Sequence, residues 1–248
     1  MTKNMRVDKF LSQQTVLSRK EIKKLAKKKR IAVNQEVIKK TDIKIDPMVD
    51  TVTLDGIDIS YEPYIYYVLN KPQGVVSATW DNQWPTVIDL LPPEDVVIYE
   101  PAPVGRLDKD TTGLLIVTND GQLNHQIVSP NRHVEKEYRA TISGRLPERA
   151  IERFAEGIVI DGNEKCLPAQ LMIEEEDASE SEMATKVRVI LLEGKYHQVK
   201  RMFEYFGYKV VELDRIKFAF LTYDGLEIGE YRELSDEEVE KLKSLKSQ

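Results

Sequence analysis

The sequence has little of what disulfides, metal sites and membrane spans require. Its 248 residues include one cysteine and three histidines, and its apolar runs are short. The single thiol, Cys166, excludes an internal disulfide and is expected to be a small buried hydrophobe. Apolar runs such as 114–117 are far too short to cross a bilayer, so no membrane partner is expected. No basic-then-apolar leader opens the chain, and we therefore expect a cytoplasmic location.

Motifs of several common enzyme classes are also absent. The sequence lacks Gly-x4-Gly-Lys-Ser/Thr and Gly-x-Gly-x-x-Gly, which bind nucleotide phosphates, and the Gly-x-Ser-x-Gly of serine hydrolases. The histidines, His125, His133 and His197, do not have the spacing of a zinc-binding His-Glu-x-x-His motif. Nucleotide, serine-hydrolase and zinc chemistry are thus without support, and we predict no metal site.

Charge is divided unevenly along the chain. The formal net charge of −6, taken alone, argues against a nucleic-acid partner. Residues 1–44, however, hold 14 Lys and Arg against 4 Asp and Glu, whereas residues 45–248 hold 22 against 38. This division predicts a basic module attached to a more acidic body.

The basic module contains a helix with a clear start signal. Ser18 and Glu21 have the spacing of a capping box, which predicts a helix that begins after Ser18. Its predicted buried side consists of Ile22, Leu25 and Ala26. Its other positions carry Arg19, Lys20, Lys23, Lys24, Lys27 and Lys28. Such charges often form only a solvated helix face, but on a capped helix with an apolar underside they favour a rigid surface that contacts phosphates.

Beyond residue 60 the pattern changes, and we predict two domains, 1–60 and 61–248. Strand-like runs alternate there with a few helices, one opened by Pro147 with Ile151, Phe154 and Ala155 facing inward. Residues 174–182 are mostly acidic and polar, which predicts a connector. Many hairpin-like strands and few helices together predict an α+β fold with a largely antiparallel mixed sheet.

One segment joins a charged stretch directly to an apolar strand. Residues 105–120 read GRLDKDTTGLLIVTND. After the eliminations above, carboxylate chemistry at Asp108 or Asp110 is what remains. A carboxylate that attacks a glycosidic carbon would suit a glycosidase as well, although nothing else in the sequence resembles a sugar-binding cleft.

Four motifs in order resemble one family, the pseudouridine synthases that carry an N-terminal S4 (α-L) RNA-binding domain. The segments are MRVDKFLSQQTVLSRKEI, VGRLDKDTTGLLIVTNDG, HVEKEYRATISG and LLEGKYHQVKRMFEYFGYKVVELDRI. The resemblance extends from about residue 5 to the C-terminus. Within the family, EGKYHQVKRMF is most similar to the enzyme of small-subunit (16S) rRNA, since large-subunit relatives more often read Arg-Gln where His197-Gln198 stands.

The resemblance implies a reaction without a cofactor or metal, in which a uridine in RNA is detached at N1 and rejoined to its ribose through C5. It implies Asp108 as the nucleophile and Lys200 as the cation beside it, with Arg201 as a rival. Tyr138 would stack against the uracil, Arg106 would help hold the RNA open, and Leu192 would form part of an apolar wall. Asp110 would have only a turn or capping role.

The same resemblance implies rRNA, or a small-subunit assembly intermediate, as the partner of a monomeric enzyme. Its S4 domain would bind RNA through basic residues: Arg6, Lys9, Arg19, Lys20, Lys23, Lys24 and Lys27. The chain departs from the S4 pattern at Lys29 and Gln35, where glycine is common. Two alternatives stay open: the same reaction on large-subunit (23S) rRNA, and a non-catalytic S4-type RNA-binding assembly factor.

Overall fold

The computed structural model describes residues 4–177 and 184–245. Its internal contacts divide the chain into two compact units. The first extends to Ile65 and also includes Leu91–Pro101, and the second comprises Tyr66–Leu90 and the chain from Ala102 onward. The predicted division at residue 60 stays a prediction. Within the described ranges, none of the helices combines the length and the apolar character that a bilayer crossing requires.

The first unit packs its helices against short antiparallel strands. In chain order its elements are β1 (Met5–Arg6), α1 (Val7–Gln14), α2 (Arg19–Lys27), β2 (Ile31–Val33), β3 (Glu36–Val37), β4 (Lys44–Ile45), β5 (Val52–Leu54), β6 (Ile57–Asp58) and α3 (Pro93–Tyr99). Strands β3, β2, β5 and β6 form a four-stranded sheet in that order, and β1 pairs with β4. The core between helices and strands includes Phe10, Leu11 and Ile31.

Helix α2 confirms the start signal in the sequence. The Ser18 hydroxyl accepts from the Glu21 backbone N–H, and the Glu21 carboxylate accepts from the Ser18 N–H, which completes the capping box. Ile22 and Ala26 are fully buried and Leu25 packs against the same core, so the predicted underside is confirmed.

The second unit is built around one large sheet. The strands of the second unit, in chain order, are β7 (Tyr66–Lys71), β8 (Ala102–Val104), β9 (Thr112–Thr118), β10 (Lys136–Ser143), β11 (Val159–Ile160), β12 (Glu164–Lys165), β13 (Gln170–Asp177), β14 (Ala184–Leu191), β15 (Val210–Phe218), β16 (Leu221–Thr222) and β17 (Tyr231–Glu233). Its α-helices are α4 (Gly121–Val128), α5 (Arg149–Glu156), α6 (Gln198–Glu204) and α7 (Asp236–Lys243), and 3-10 turns span Val87–Leu90 and Pro130–Arg132.

The large sheet is mixed and mostly antiparallel, as predicted. Its order is β13-β14-β10-β15-β9-β7-β17, with β16 paired to β15 and β8 paired to β9. Within it β9 and β15 run parallel, and the other paired strands run antiparallel. The α+β prediction is therefore confirmed.

Two local predictions in this unit were wrong. In α5 the buried residues are Ala150 and Phe154, four apart, whereas Ile151 and Ala155 are exposed. The face that packs inward is rotated by one residue, because Phe154 packs against the Phe203 ring, with centroids 5.2 Å apart. Residues 174–177, predicted as connector, continue strand β13, and residues 178–182 lie outside the described ranges.

The entry to β9 explains why a charged loop precedes an apolar strand. Residues 105–111, here called the 105–111 loop, connect β8 to β9, and residues 114–117 are buried in the sheet. Gly113 has a φ of +97°, and a Cβ there would lie 2.4 Å from the Arg215 carbonyl oxygen of β15. Only glycine permits this close parallel pairing, so the end of the loop is held at a defined point of the sheet.

Candidate active site

The 105–111 loop borders an open pocket of the second unit. The pocket is lined by Arg106, Leu107, Asp108, Thr111, Tyr138, Leu191, Gly194, Lys195, His197, Gln198, Val199 and Leu213. These residues come from the loop itself, from the strands β10, β14 and β15, and from the segment 194–199, which leads into α6. The fold thus brings together segments that lie far apart in the sequence.

The two carboxylate oxygens of Asp108 each have a nitrogen partner. Lys200 Nζ donates to Asp108 Oδ2 at 3.0 Å, and His197 Nε2 lies 3.2 Å from Asp108 Oδ1. Lys200 also donates to Asp110 Oδ1 at 2.6 Å. The carboxylate of Asp108 is therefore fixed in orientation, which suits a group that must meet a reacting atom at one angle.

Lys200 and Asp110 affect each other's protonation. Burial lowers the pKa of Lys200, but its hydrogen bonds to Asp110 and Asp108 outweigh this and raise it overall. Burial alone would raise the pKa of Asp110, but the hydrogen bond and the positive charge of Lys200 outweigh it and lower this pKa overall. Lys200 is consequently held as a cation between two carboxylates.

A second lysine, which the sequence analysis missed, lies beneath the same loop. Lys71 ends β7 and is fully buried. Its ammonium donates to the backbone carbonyls of Asp108 at 3.0 Å and Thr111 at 2.8 Å, and to that of Pro72 at 3.1 Å. Burial lowers the pKa of Lys71 to about 8, against the opposing charges of Asp110 and Asp108. The ammonium thus ties the loop backbone to the adjacent strand.

Tyr138 and a leucine form the less polar side of the pocket. Tyr138 lies on the same side of β10 as Ala140 and Ile142, and all three are buried. Leu191, the last residue of β14, lines the pocket, whereas the predicted Leu192 is not among the lining residues. Neighbouring residues of an extended chain point in opposite directions, so when Leu191 faces the pocket, Leu192 faces away from it.

Arg201 does not contact the Asp108 carboxylate. Its guanidinium pairs with Asp161 and with Glu164, the latter at 2.6 Å. Arg201 NH1 also donates to the Tyr196 carbonyl at 2.8 Å. On the helix α6 the pairing with Asp108 is made by Lys200, one position earlier. Of the two candidates for the cation beside Asp108, the structure therefore places Lys200, and not Arg201, in contact with it.

His197 is a pocket residue whose contact with Asp108 the sequence did not predict. It immediately precedes α6 with a φ of +48°, a left-handed conformation in which histidine is one of the more frequent non-glycine residues. This backbone geometry turns the imidazole toward Asp108. Its position in the HQVK segment could have signalled it, whereas nothing local to Lys71 reveals that residue's contacts.

The basic residues predicted to contact RNA lie in the first unit and are exposed: Arg6, Lys9, Arg19, Lys20, Lys23, Lys24 and Lys27. Arg6 is also paired with Asp8 at 2.7 Å. Cys166 is buried, as expected, and burial raises the pKa of its thiol. Among residues 4–177 and 184–245, no three His, Cys, Asp or Glu side chains are placed so that they could hold a metal ion.

Comparisons with known proteins agree with this architecture. The model of the RNA pseudouridylate synthase family matches residues 65–205, and that of the S4 domain matches residues 5–50. The chain is 42% identical to the ribosomal small subunit pseudouridine synthase A of Yersinia pestis over 95% of this chain and 97% of that protein. It is 41% identical to the uncharacterized RNA pseudouridine synthase YtzG of Bacillus subtilis over 96% and 98% of the two chains.

A solved structure extends the likeness to three dimensions. A crystal structure of a pseudouridylate synthase has a TM-score of 0.63 and 35% sequence identity, covering 96% of this chain and 99% of that one. The alignment spans nearly the full length of both chains. The chain is an S4-domain protein of the RNA pseudouridylate synthase family, and it is a pseudouridine synthase.

Proposed function

We propose that the enzyme converts a uridine of small-subunit (16S) rRNA to pseudouridine, with Asp108 as the nucleophile. The observation that carries the proposal is the carboxylate of Asp108, which lies in the pocket with one oxygen bonded to Lys200 and the other close to His197. Two related proteins support the rRNA assignment. Both are named ribosomal small subunit pseudouridine synthase A; the one from Yersinia pestis is 42% identical to this chain and the one from Escherichia coli is 40% identical.

The reaction exchanges one bond for another within a single nucleotide. The N1–C1′ bond breaks, the uracil turns, and a C5–C1′ bond forms, while C5 loses its proton and N1 gains one. An ionised carboxylate can add to ribose C1′ or to the uracil ring, and in either case it leaves again when the new bond forms. Lys200 donates a hydrogen bond to this carboxylate and holds it in place.

The pocket walls supply what the isomerisation needs and a hydrolysis does not. A hydrolase would deliver water to the sugar, as a glycosidase does with a second carboxyl group. Here the freed base must recombine with the same ribose, so water has to be kept out. Tyr138 and Leu191 border the pocket on its apolar side. Stacking on the Tyr138 ring would offset part of the energy needed to extract the uridine from its helix.

The first prediction tests the nucleophile by comparing the two carboxylates. Asp108→Asn should reduce tritium release from C5-labelled uridine in 16S RNA by at least about 10⁴-fold, the scale of losing a catalytic nucleophile. Asp110 is 58% exposed and is bonded to the same lysine, so it makes a matched control. Asp110→Asn should stay within about fivefold of the wild type, because exposed ion pairs contribute little.

Two outcomes would contradict the assignment: activity that persists in Asp108→Asn, or an equal loss in Asp110→Asn. The substrate is tested separately by mapping pseudouridines after deletion of the gene. Loss of one pseudouridine from 16S rRNA supports the proposal, and loss from 23S rRNA would transfer the same chemistry to the large subunit. We further propose a monomer that acts in the cytoplasm during ribosome biogenesis.

A further inference from the structure

Both tryptophans of the sequence lie in one surface loop beside the pocket. Residues 77–85, here called the tryptophan loop, contain Trp80 and Trp84. The Trp80 side chain is 76% exposed and that of Trp84 is 43% exposed. Indole rings are large and mostly apolar, so two of them in contact with water on one loop indicate a surface that binds something.

The loop holds the rings on a closed, hydrogen-bonded base. Val76 and Thr86 form a bridge, with Val76 N–H donating to the Pro85 carbonyl and Val87 N–H to the Val76 carbonyl. At the tip the Asp81 carboxylate accepts from the N–H groups of Gln83 and Trp84, both at 2.9 Å. These bonds lower the pKa of Asp81 and keep it charged. A rigid loop loses little entropy when a ligand stacks on it.

The base of the tryptophan loop is bonded to the 105–111 loop. Ser77 Oγ donates to the Leu107 carbonyl at 2.9 Å and accepts from its N–H at 3.0 Å. Gly74 N–H donates to the Lys109 carbonyl at 2.8 Å. Lys109 Nζ in turn lies 3.4 Å from the centroid of the Trp84 ring. The Trp84 ring is therefore held at a fixed position relative to Lys109, the residue next to Asp108.

We propose that Trp80 and Trp84 form a stacking platform for unpaired nucleotides that flank the target uridine. Single-stranded RNA is bound by proteins through stacking of its bases on aromatic rings, with nearby cations contacting the phosphates. Lys109 and the exposed Arg106 supply such cations on the adjoining loop. The inference rests on the proposed function only in that the substrate is an RNA whose target uridine reaches Asp108.

The fluorescence of the two indoles provides a direct test, because the chain contains no other tryptophan. The probes are a single-stranded oligouridine and a 16S RNA fragment. Both should quench the emission of the wild type to saturation as their concentration rises, since bases stack on the rings. The single-tryptophan variants Trp80→Phe and Trp84→Phe assign the quenching to each ring. Asp108→Asn should show the same quenching while it lacks activity.

Binding measurements add the energetic test. Trp80→Ala should raise the Kd for the oligonucleotide by about 5- to 150-fold, the range for losing one stacked base, and Trp80→Phe should recover most of it. The ratio of variant to wild-type Kd should be the same at low and high salt, because stacking releases no counterions. Ile228→Ala, which alters a residue 72% exposed in another loop, is the matched control and should bind like the wild type.

The outcomes separate this inference from the proposed function. An enzyme active on 16S RNA whose emission does not change, and whose Trp80→Ala and Trp84→Ala variants bind normally with unchanged thermal unfolding, would refute the platform alone. Quenching by oligouridine in a wild type that is inactive both on 16S RNA and on a small-subunit assembly intermediate would refute the small-subunit assignment and leave the platform supported. A ratio of variant to wild-type Kd that changes with salt would show that the variants lose affinity through charge contacts and not through stacking.

Discussion

At the scale of single residues, burial separates ionisable groups that lie within one hydrogen-bonded cluster. Asp110 is mostly solvated, Lys200 is largely covered, and Lys71 is completely buried beneath the loop. The three therefore have different tasks although they share neighbours. Asp110 screens charge at the surface, Lys200 holds the Asp108 carboxylate, and Lys71 satisfies the carbonyls that turn the loop.

The buried lysine predicts a dependence of stability on pH. Burial lowers the pKa of Lys71 from its ordinary 10.5 to about 8 in the folded protein. Between these values the unfolded chain binds more protons than the folded one, so raising the pH favours folding. The free energy of unfolding of the wild type should rise relative to Lys71→Met by roughly 1–3 kcal/mol between pH 8 and 10.5.

Urea denaturation across this pH range measures the difference. Lys71→Met is matched to the lysine in length and would also leave loop carbonyls without their donor, so it should be less stable at pH 7. Lys28→Met, at an exposed position, corrects for the removal of a lysine as such. A difference between wild type and Lys71→Met that stays constant or shrinks as the pH rises would contradict the prediction.

At the scale of elements, the first unit uses left-handed turns without glycine. Lys29, Asn34 and Gln35 have φ values of +61°, +49° and +70°. The departures from the S4 pattern therefore leave the turn conformations in place. Asn34 is anchored, because its side chain donates to Asp50 and accepts from the Thr51 N–H. Gln35 has no comparable compensation in the hydrogen bonds found for the β2–β3 turn.

Restoring glycine at position 35 should therefore stabilise the protein. A residue with a Cβ in the left-handed conformation costs about 1–2 kcal/mol. Glycine removes this cost, but its greater freedom in the unfolded chain reduces the net gain. Gln35→Gly should raise the free energy of unfolding by about 0.5–1 kcal/mol, seen as a higher Tm. Asn34→Gly is the matched control and should give no gain, since it removes two hydrogen bonds. A lower Tm for Gln35→Gly would show that the turn does not strain this residue.

At the scale of the whole molecule, the charge division predicts how RNA affinity responds to salt. We predict that the exposed lysines and arginines of the first unit provide most of the phosphate contacts, because the remainder of the chain is acidic. About six such contacts would reduce the affinity on the order of a thousandfold between 50 and 200 mM salt. Affinity measured at one salt concentration would therefore say little about specificity.

Charge reversal on α2 tests which surface is responsible. Replacing Lys23, Lys24 and Lys27 by glutamate should flatten the plot of log affinity against log salt by about 2–3 units of slope. The matched control reverses three exposed lysines of the second unit: Lys209, Lys241 and Lys243. An unchanged slope for the α2 variant, or an equal change in the control, would remove the phosphate-binding role assigned to this helix.

The sequence by itself determined the features that depend on neighbours along the chain. The capping box of α2 and the buried run after the 105–111 loop are local patterns, and the structure confirms both. The ordered motifs likewise indicated the family, because their residues are contiguous. Local patterns failed at Ile151 and Leu192, where one residue of rotation or alternation mattered, and at residues 174–177, whose acidic composition predicted a connector although they continue strand β13.

The tertiary structure decided which side chains meet, apart from the Asp108–Lys200 pair, which the family resemblance had implied with Arg201 as its rival. Asp108 and Lys200 are 92 residues apart, and Lys71 reaches a carbonyl 37 residues away. Periodicity does not encode such contacts, since they depend on the order and register of strands in the sheet. The same holds for Trp84, whose ring lies under Lys109 only because the two loops are bonded together. Local sequence patterns indicate the individual elements, whereas the assembly of their residues into a site follows from packing over the whole sheet.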